Sequence, residues 1–93
     1  MSAISGKKTV TAAGTAVALG SGQVHGPLTV KALVANTGYI YIGNDGAGDV
    51  ASTNGFELAA GDVIIFNHVS NLSSLIIDSS VNGEGVSYIF LDP

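Results

Sequence analysis

The chain consists of short apolar runs separated by clusters of Gly, Asn, Asp and Ser. The runs are rich in Val, Ile, Tyr and Phe, which favour strands, and their close spacing is typical of β-sandwiches and barrels. Residues that favour helices, such as Glu, Lys, Arg and Gln, are scarce. The pattern predicts about eight strands, at residues 9–12, 16–19, 28–35, 39–42, 56–58, 63–67, 75–78 and 86–91.

The connections between these runs are short, and short connections join antiparallel neighbours. We therefore predict an all-β protein, a small antiparallel β-sandwich of the jelly-roll type, in residues 9–93. Residues 1–8 are mostly small or polar, and we expect them to form a flexible N-terminal arm. Two glycines, Gly14 in a tight hairpin and Gly61 in a turn between strands, are expected to adopt positive φ angles.

Several of the later strands are apolar on both faces, as the runs 39–42 and 86–91 illustrate. An antiparallel sheet with one hydrated face would instead have polar residues at alternate positions. Because a small sandwich has one core, the second apolar face needs a cover. The cover is either a loop or the N-terminal hairpin of the same chain, or further copies of the chain. We favour a homo-oligomer, with four residues at the subunit interface: Tyr39, Tyr41, Ile89 and Leu91.

The composition strengthens the expectation of an oligomer. Charged residues make up 11% of the 93 residues, against about 25% in an ordinary soluble domain, and a chain this short is marginally stable as a monomer.

Three Lys and no Arg, against seven acidic residues, argue against nucleic-acid binding, which needs a dense cationic surface. No apolar run approaches the roughly 20 residues of a membrane helix, and we expect neither a membrane segment nor a signal peptide.

The chain offers little material for catalysis, and we expect a protein that is not an enzyme, without catalytic residues, cofactor or metal. Cysteine is absent, and neither His25 nor His68 has a carboxylate beside it in the sequence. The Gly-rich loop with Asn44, Asp45 and Asp49 has the oxygen ligands that calcium prefers. The same residue types form ordinary turns, so we interpret the loop as a turn, with calcium binding as the alternative.

Three segments resemble small virion proteins of tailed bacteriophages. They are 36–43 (NTGYIYIG), 54–62 (NGFELAAGD) and 83–91 (GEGVSYIFL), and the similarity extends over residues 9–91. The resemblance implies a compact jelly-roll-like sandwich that decorates or cements a capsid, with the major capsid protein as partner and usually a homotrimer as the assembled form. It implies no catalytic residue and no cofactor. Location in the virion, after assembly in a host cytoplasm, agrees with the absence of cysteine.

The shell contact and the alternative function depend on further residues. Lys7 and Lys8, paired in the predicted arm, are our candidates for contacting an acidic patch of the capsid; otherwise they keep a strand start solvated.

The alternative function is a tail or fibre protein, or a receptor- or glycan-binding module of a virion. A glycan-binding module would use exposed aromatic residues, for which the chain offers Tyr39, Tyr41 and Tyr88, although their strand positions favour packing.

Overall fold

The computed structural model describes residues 2–44 and 50–92. This part of the chain contains eight strands and one short 3-10 turn (Leu72–Ser74), and no α-helix. The strands are β1 (Ser2–Val10), β2 (Val17–Ala18), β3 (Leu28–Ala32), β4 (Ile40–Gly43), β5 (Phe56–Leu58), β6 (Val63–Phe66), β7 (Ile76–Ser79) and β8 (Glu84–Asp92). The sequence predicts an all-β protein with about eight strands, and this prediction is confirmed.

The strands form two sheets of four strands each. Sheet A has the order β1-β8-β3-β6, and sheet B has the order β2-β7-β4-β5. All neighbouring strands are antiparallel. The first strand pairs with the eighth, the second with the seventh, the third with the sixth and the fourth with the fifth, as in one long hairpin folded over itself. The predicted antiparallel β-sandwich is therefore confirmed.

The core lies between the two sheets and is supplied by one face of each strand, as the two-residue period of a strand requires. In β3, for example, Leu28, Val30 and Ala32 are buried while Lys31 is exposed. The largest side chains that are fully buried are those of Leu19, Leu28, Ile40, Ile77, Val10, Val30 and Val86. Four of these residues belong to sheet A: Val10, Leu28, Val30 and Val86. Because their side chains are buried in the core, the opposite face of sheet A is left to solvent.

The N-terminal segment differs from its prediction. The sequence predicts an arm outside the sandwich at residues 1–8, but β1 begins at Ser2 and pairs with β8 along its whole length. Gly6 lies against the ring of Tyr88, so closely that a Cβ atom on Gly6 would be 2.7 Å from the ring carbon Cζ. Backbone hydrogen bonds and this ring order a segment that has few apolar side chains of its own.

The first turn also has a role different from the predicted one. Gly14 has the expected positive φ, 89°, and Thr15 N–H donates to Ala12 C=O at 3.0 Å. The flanking strands do not form a hairpin, because β1 belongs to sheet A and β2 to sheet B. The turn therefore crosses between the sheets, where the Asp78 carboxylate accepts a hydrogen bond from Gly14 N–H at 3.0 Å.

The outer face of sheet B is covered by the chain itself. Tyr41, Val50 and Ile76 form a second buried cluster, against which Ala16 and Ala18 pack. Ala18 belongs to β2 of the same sheet, opposite Ile76, and Val50 comes from the loop between β4 and β5. The same chain therefore covers this face, which is the alternative that the sequence left open. No second copy is needed to bury the outer face of β4.

Gly61 makes the tight turn between β5 and β6. Its φ angle is 82°, and Asp62 N–H closes the turn by donating to Ala59 C=O at 2.9 Å. We expect Gly61→Val to lower the free energy of unfolding by about 1–2 kcal/mol, because other L-residues adopt this left-handed conformation at roughly that cost. Ala60→Val, in the same turn but without a positive φ, should change it by less than about 0.5 kcal/mol. Urea denaturation measures both, and equal stabilities of the two variants would contradict the argument.

Candidate functional site: the outer face of sheet A

The outer face of sheet A points away from the core, and the strand register arranges its side chains in rows. The central row has one residue from each strand: Ser5, Ile89, Thr29 and Ile65. The next row also has one residue from each strand: Lys7, Ser87, Lys31 and Val63. On the other side of the central row, Leu91 lies opposite Ala3. We refer to these residues together as the sheet A face.

Four large apolar side chains on the sheet A face are exposed, in two pairs on β6 and β8 with Thr29 of β3 between them. Ile65 is 61% exposed, Val63 52%, Leu91 47% and Ile89 46%. Single exposed apolar residues are ordinary on a protein surface, but several on one face of one sheet indicate an interaction site. The uncovered second face of β6 and β8 is therefore the strongest candidate for a functional surface in the described part of the chain.

The sheet A face has two shallow depressions, of about 300 Å³ and about 270 Å³, which meet at Thr29 and Ile89. The larger depression extends to Lys7. The smaller depression extends to Pro27 and Leu91. Small-molecule sites are usually concave and enclosed, so open depressions of this kind are better suited to the side chains of a protein partner.

The charge of the sheet A face is opposite to that of the whole chain. Lys7 and Lys31 lie in one row of this face, whereas the chain has a net charge of −4. The acidic side chains that the structure describes lie elsewhere, on β5, just before β6, on β7 and at the start of β8: Glu57, Asp62, Asp78 and Glu84. A partner surface with acidic groups would therefore be electrostatically complementary.

The structure brings together only part of the predicted contact set. Lys7, Ile89 and Leu91 lie on the sheet A face. Tyr41 is only 8% exposed, because segments of its own chain cover it, and this leaves little surface for the subunit contact that the sequence predicts. Tyr39 is exposed just before β4, and Lys8 is half-buried on the other side of β1.

The sequence pattern does not single out four residues of the sheet A face: Thr29, Lys31, Val63 and Ile65. The run 63–66 is apolar at every position, so its two faces look alike in the sequence. Only the pairing with β3 shows that Ile64 and Phe66 pack against the core while Val63 and Ile65 point outward. Lys31 gives a usable signal, because a lone cation in an apolar strand marks the solvent face.

Hydrogen bonds hold Tyr39 in place at the end of the sandwich. The Glu84 carboxylate accepts hydrogen bonds from Thr37 N–H at 2.6 Å, from Thr37 Oγ1 at 2.9 Å and from Gly38 N–H at 2.9 Å. Tyr39 N–H donates to Ser80 Oγ at 2.9 Å. The backbone hydrogen bonds from Thr37 and Gly38 lower the pKa of Glu84 below its ordinary value, because they stabilise the charged carboxylate.

The loop considered for calcium lies mostly outside the described residues, which include Asn44 but not Asp45 or Asp49. Asn44 Nδ2 donates to Ser74 C=O at 3.4 Å. Within residues 2–44 and 50–92, no group of three or more His, Cys, Asp or Glu side chains could hold a metal ion. His25 and His68 are both exposed. The described residues therefore offer no metal centre as an alternative functional site to the sheet A face.

Comparison of the chain with known protein families, with curated proteins and with solved structures finds no match. In the part of the chain that the structure describes, no helix is long and apolar enough to span a membrane. The fold and the sheet A face are therefore the basis of the functional proposal.

Glu84 is expected to stabilise the protein in a pH-dependent way. Because the folded-state pKa is lowered, this contribution is present above the ordinary glutamate pKa and is lost as the pH falls through the folded-state pKa. Glu84→Gln should therefore lower the Tm at neutral pH and have a smaller effect in acid. Thermal denaturation at both pH values measures this. Glu57→Gln removes the same charge from an exposed position and is the control; a Glu84→Gln effect that does not vary with pH would contradict the expectation.

Proposed function

We propose that the protein is a structural protein of a phage virion that decorates or cements the capsid as a homo-oligomer. The observation that carries this proposal is the sheet A face, with four exposed large apolar side chains, on a sandwich whose other sheet is covered by its own chain. Such a surface suits a protein that acts by binding other proteins. The resemblance of three segments to small virion proteins supports the same function, and the nested pairing of the strands supports a jelly roll.

The proposed occupant of the sheet A face is the shell protein rather than a second copy. Two copies that met through this face would either bring their lysine rows together, or place each lysine row against the apolar end of the other face at Leu91. Like charges across an interface and unpaired buried charges are both unfavourable. A shell surface with acidic groups around an apolar centre would complement Lys7, Lys31 and the exposed apolar side chains. The proposal keeps the predicted shell contact of Lys7, and it moves Ile89 and Leu91 from the subunit interface to the shell contact.

The homo-oligomer is needed because a single sheet A face is small. Exposed ion pairs contribute only about 0–1 kcal/mol each, so one copy would bind weakly. Linked copies that bind a regular shell together gain avidity from one another. The resemblance implies three copies, and the low share of charged residues, 11%, is in keeping with surfaces that other copies cover.

A tail or fibre protein is the alternative within the virion, and the same face would serve it. A glycan-binding module is less well supported, because the three tyrosines do not share a surface. Tyr39 is exposed at one end of the sandwich, Tyr41 is buried on sheet B, and Tyr88 lies over Gly6 on sheet A. They therefore do not combine into an aromatic platform for a sugar ring.

Binding to capsid shells tests the proposal. Empty shells are assembled from the major capsid protein encoded in the same genome, and bound protein is measured by co-sedimentation. We expect the unaltered protein to saturate the shells. Ile65→Ser combined with Ile89→Ser should weaken binding about tenfold or more, because the apolar centre of the contact is lost. Lys7→Glu should also weaken binding, more strongly at low salt than at high salt.

Val34→Ser is the matched control, because Val34 is 72% exposed but lies outside the sheet A face. This variant should bind shells as the unaltered protein does. Binding to isolated tails but not to shells would favour the tail alternative. Absence of binding to either structure, or a genome without virion genes, would overturn the proposal.

A further inference from the structure

We infer that copies of this chain associate edge to edge, with β6 of one copy pairing antiparallel with β1 of the next copy and extending sheet A. The inference rests on the homo-oligomer of the proposed function and assigns the interface that forms it. In the order β1-β8-β3-β6, these two strands are the two edges of one sheet. An edge strand presents unpaired N–H and C=O groups, which are a template for another strand.

The hydrogen bonds inside sheet A show which backbone groups are free at its edges. Ala32 N–H donates to Asp62 C=O at 2.9 Å, so the even-numbered residues of β6 bond to β3. Leu33 N–H donates to Gly85 C=O at 3.1 Å, so the odd-numbered residues of β8 bond to β3 and the even-numbered ones bond to β1. Because bonding alternates along antiparallel strands, the odd-numbered residues of β6 and of β1 direct their N–H and C=O groups outward.

The directions of the two edge strands also match. Each strand of sheet A is antiparallel to its neighbours, so β1 and β6 run in opposite directions. A second copy placed beside the first in the same orientation would therefore present its β1 antiparallel to β6 of the first. Sheet A would continue across the junction with the same face outward.

One register continues the side-chain rows of sheet A across the junction. In this register Val63 lies opposite the partner's Lys7, and Ile65 lies opposite the partner's Ser5. These are odd-numbered residues on both strands, which are the ones whose backbone groups point outward. Each pair can therefore exchange both of its N–H···O hydrogen bonds, as in an ordinary antiparallel ladder.

The same register matches the side chains at the two ends of β6. Asp62, which is exposed just before β6, would lie opposite the partner's Lys8. Phe66, which is half-buried, would lie opposite the partner's Ile4, which is 38% exposed in the isolated chain. Cross-strand pairs of opposite charge and of apolar residues both stabilise a sheet. A shift of the register by two residues would lose both contacts.

The edge at β6 lacks the features that usually protect an edge strand. Val63–Phe66 contains no charged residue and no proline, whereas the opposite edge, β1, carries Lys7 and Lys8. Native proteins blunt exposed edges with charges of this kind, or cover them. Pairing of two β6 strands with each other would also cover this edge, but it would place no lysine opposite Asp62.

An interface between β6 and β1 is heterologous, because each copy uses a different edge on each side. Repetition of such an interface closes into a ring when the rotation between copies allows it. Three copies that closed in this way would match the number that the resemblance implies, and each sheet A face would then be turned from the next by the rotation between copies.

A cycle of charge reversals tests the edge interface. Lys8→Glu and Asp62→Lys should each raise the dissociation constant of the oligomer about fivefold, because each creates a like-charge pair at the junction. Combined in one chain, the two changes restore opposite charges and should return the constant to within about twofold of the unaltered value. Analytical ultracentrifugation measures the constants. Glu57→Lys changes the net charge as Asp62→Lys does, but on β5 of sheet B, away from the junction, and should leave the constant unchanged.

Amide hydrogen exchange gives an independent measurement at the backbone. The amides of Val63 and Ile65, and those of Ser5 and Lys7, should be protected in the oligomer and exchange quickly after dilution to monomers. The even-numbered amides between them bond within the sheet and should be protected in both states. An interface through the sheet A face would not produce this alternation.

The outcomes separate the edge interface from the proposed function. An oligomer that does not respond to the charge reversals, or that lacks the alternating protection, overturns the edge interface and leaves the proposed function standing. Protection of Val63 and Ile65 without that of Ser5 and Lys7 indicates a pair of β6 strands and also overturns it. A chain that stays monomeric at high micromolar concentration overturns both the edge interface and the homo-oligomer, and shell binding is then judged separately.

Discussion

The ladder between β1 and β8 is the interaction on which the rest of the structure depends. It joins a nine-residue strand at the start of the chain to a nine-residue strand at its end, and β8 in turn joins β1 to β3. Where β1 ends and β8 begins, the two strands approach so closely that a Cβ atom on Gly85 would lie 2.7 Å from Thr9 Cα. The buried Asn36 side chain also donates to Gly85 C=O at 2.9 Å. The rows of the sheet A face exist because this ladder sets the register of β1 against the other strands.

Both sheets have a second apolar face, but only one of these faces is covered by the chain. On sheet B, the Asp78 carboxylate binds the first turn, and Ala16 and Ala18 follow that turn onto the buried cluster around Tyr41. On sheet A, the corresponding face stays open, and Lys7 and Lys31 lie beside its exposed apolar side chains. Strands with apolar residues on both faces therefore have two outcomes: a covered outer face in sheet B, and a surface available for binding in sheet A.

The candidate site could be predicted only in part, and the reason lies in the period of a strand. Alternation shows that two sets of residues face opposite ways, but not which set meets the core when both are apolar. Ile89 and Leu91 prove to be on the open side, whereas Tyr41 satisfies the same pattern and is buried by its own chain. Lys7 and Lys8 are adjacent in the sequence, and for the same reason they lie on opposite sides of β1.

The sequence by itself determined the number of strands, the approximate positions of the last seven, and the positive φ angles of Gly14 and Gly61, because these depend on neighbouring residues. Only the tertiary structure decided that residues 2–8 belong to a strand, that the first turn crosses between the sheets, and which apolar face remains exposed. The partners that decide these features lie far away along the chain, as Ser2 and Asp92 do, which pair with each other at one end of the β1–β8 ladder. Local pattern does not encode such pairings, because a strand gains its partner only when distant segments fold together.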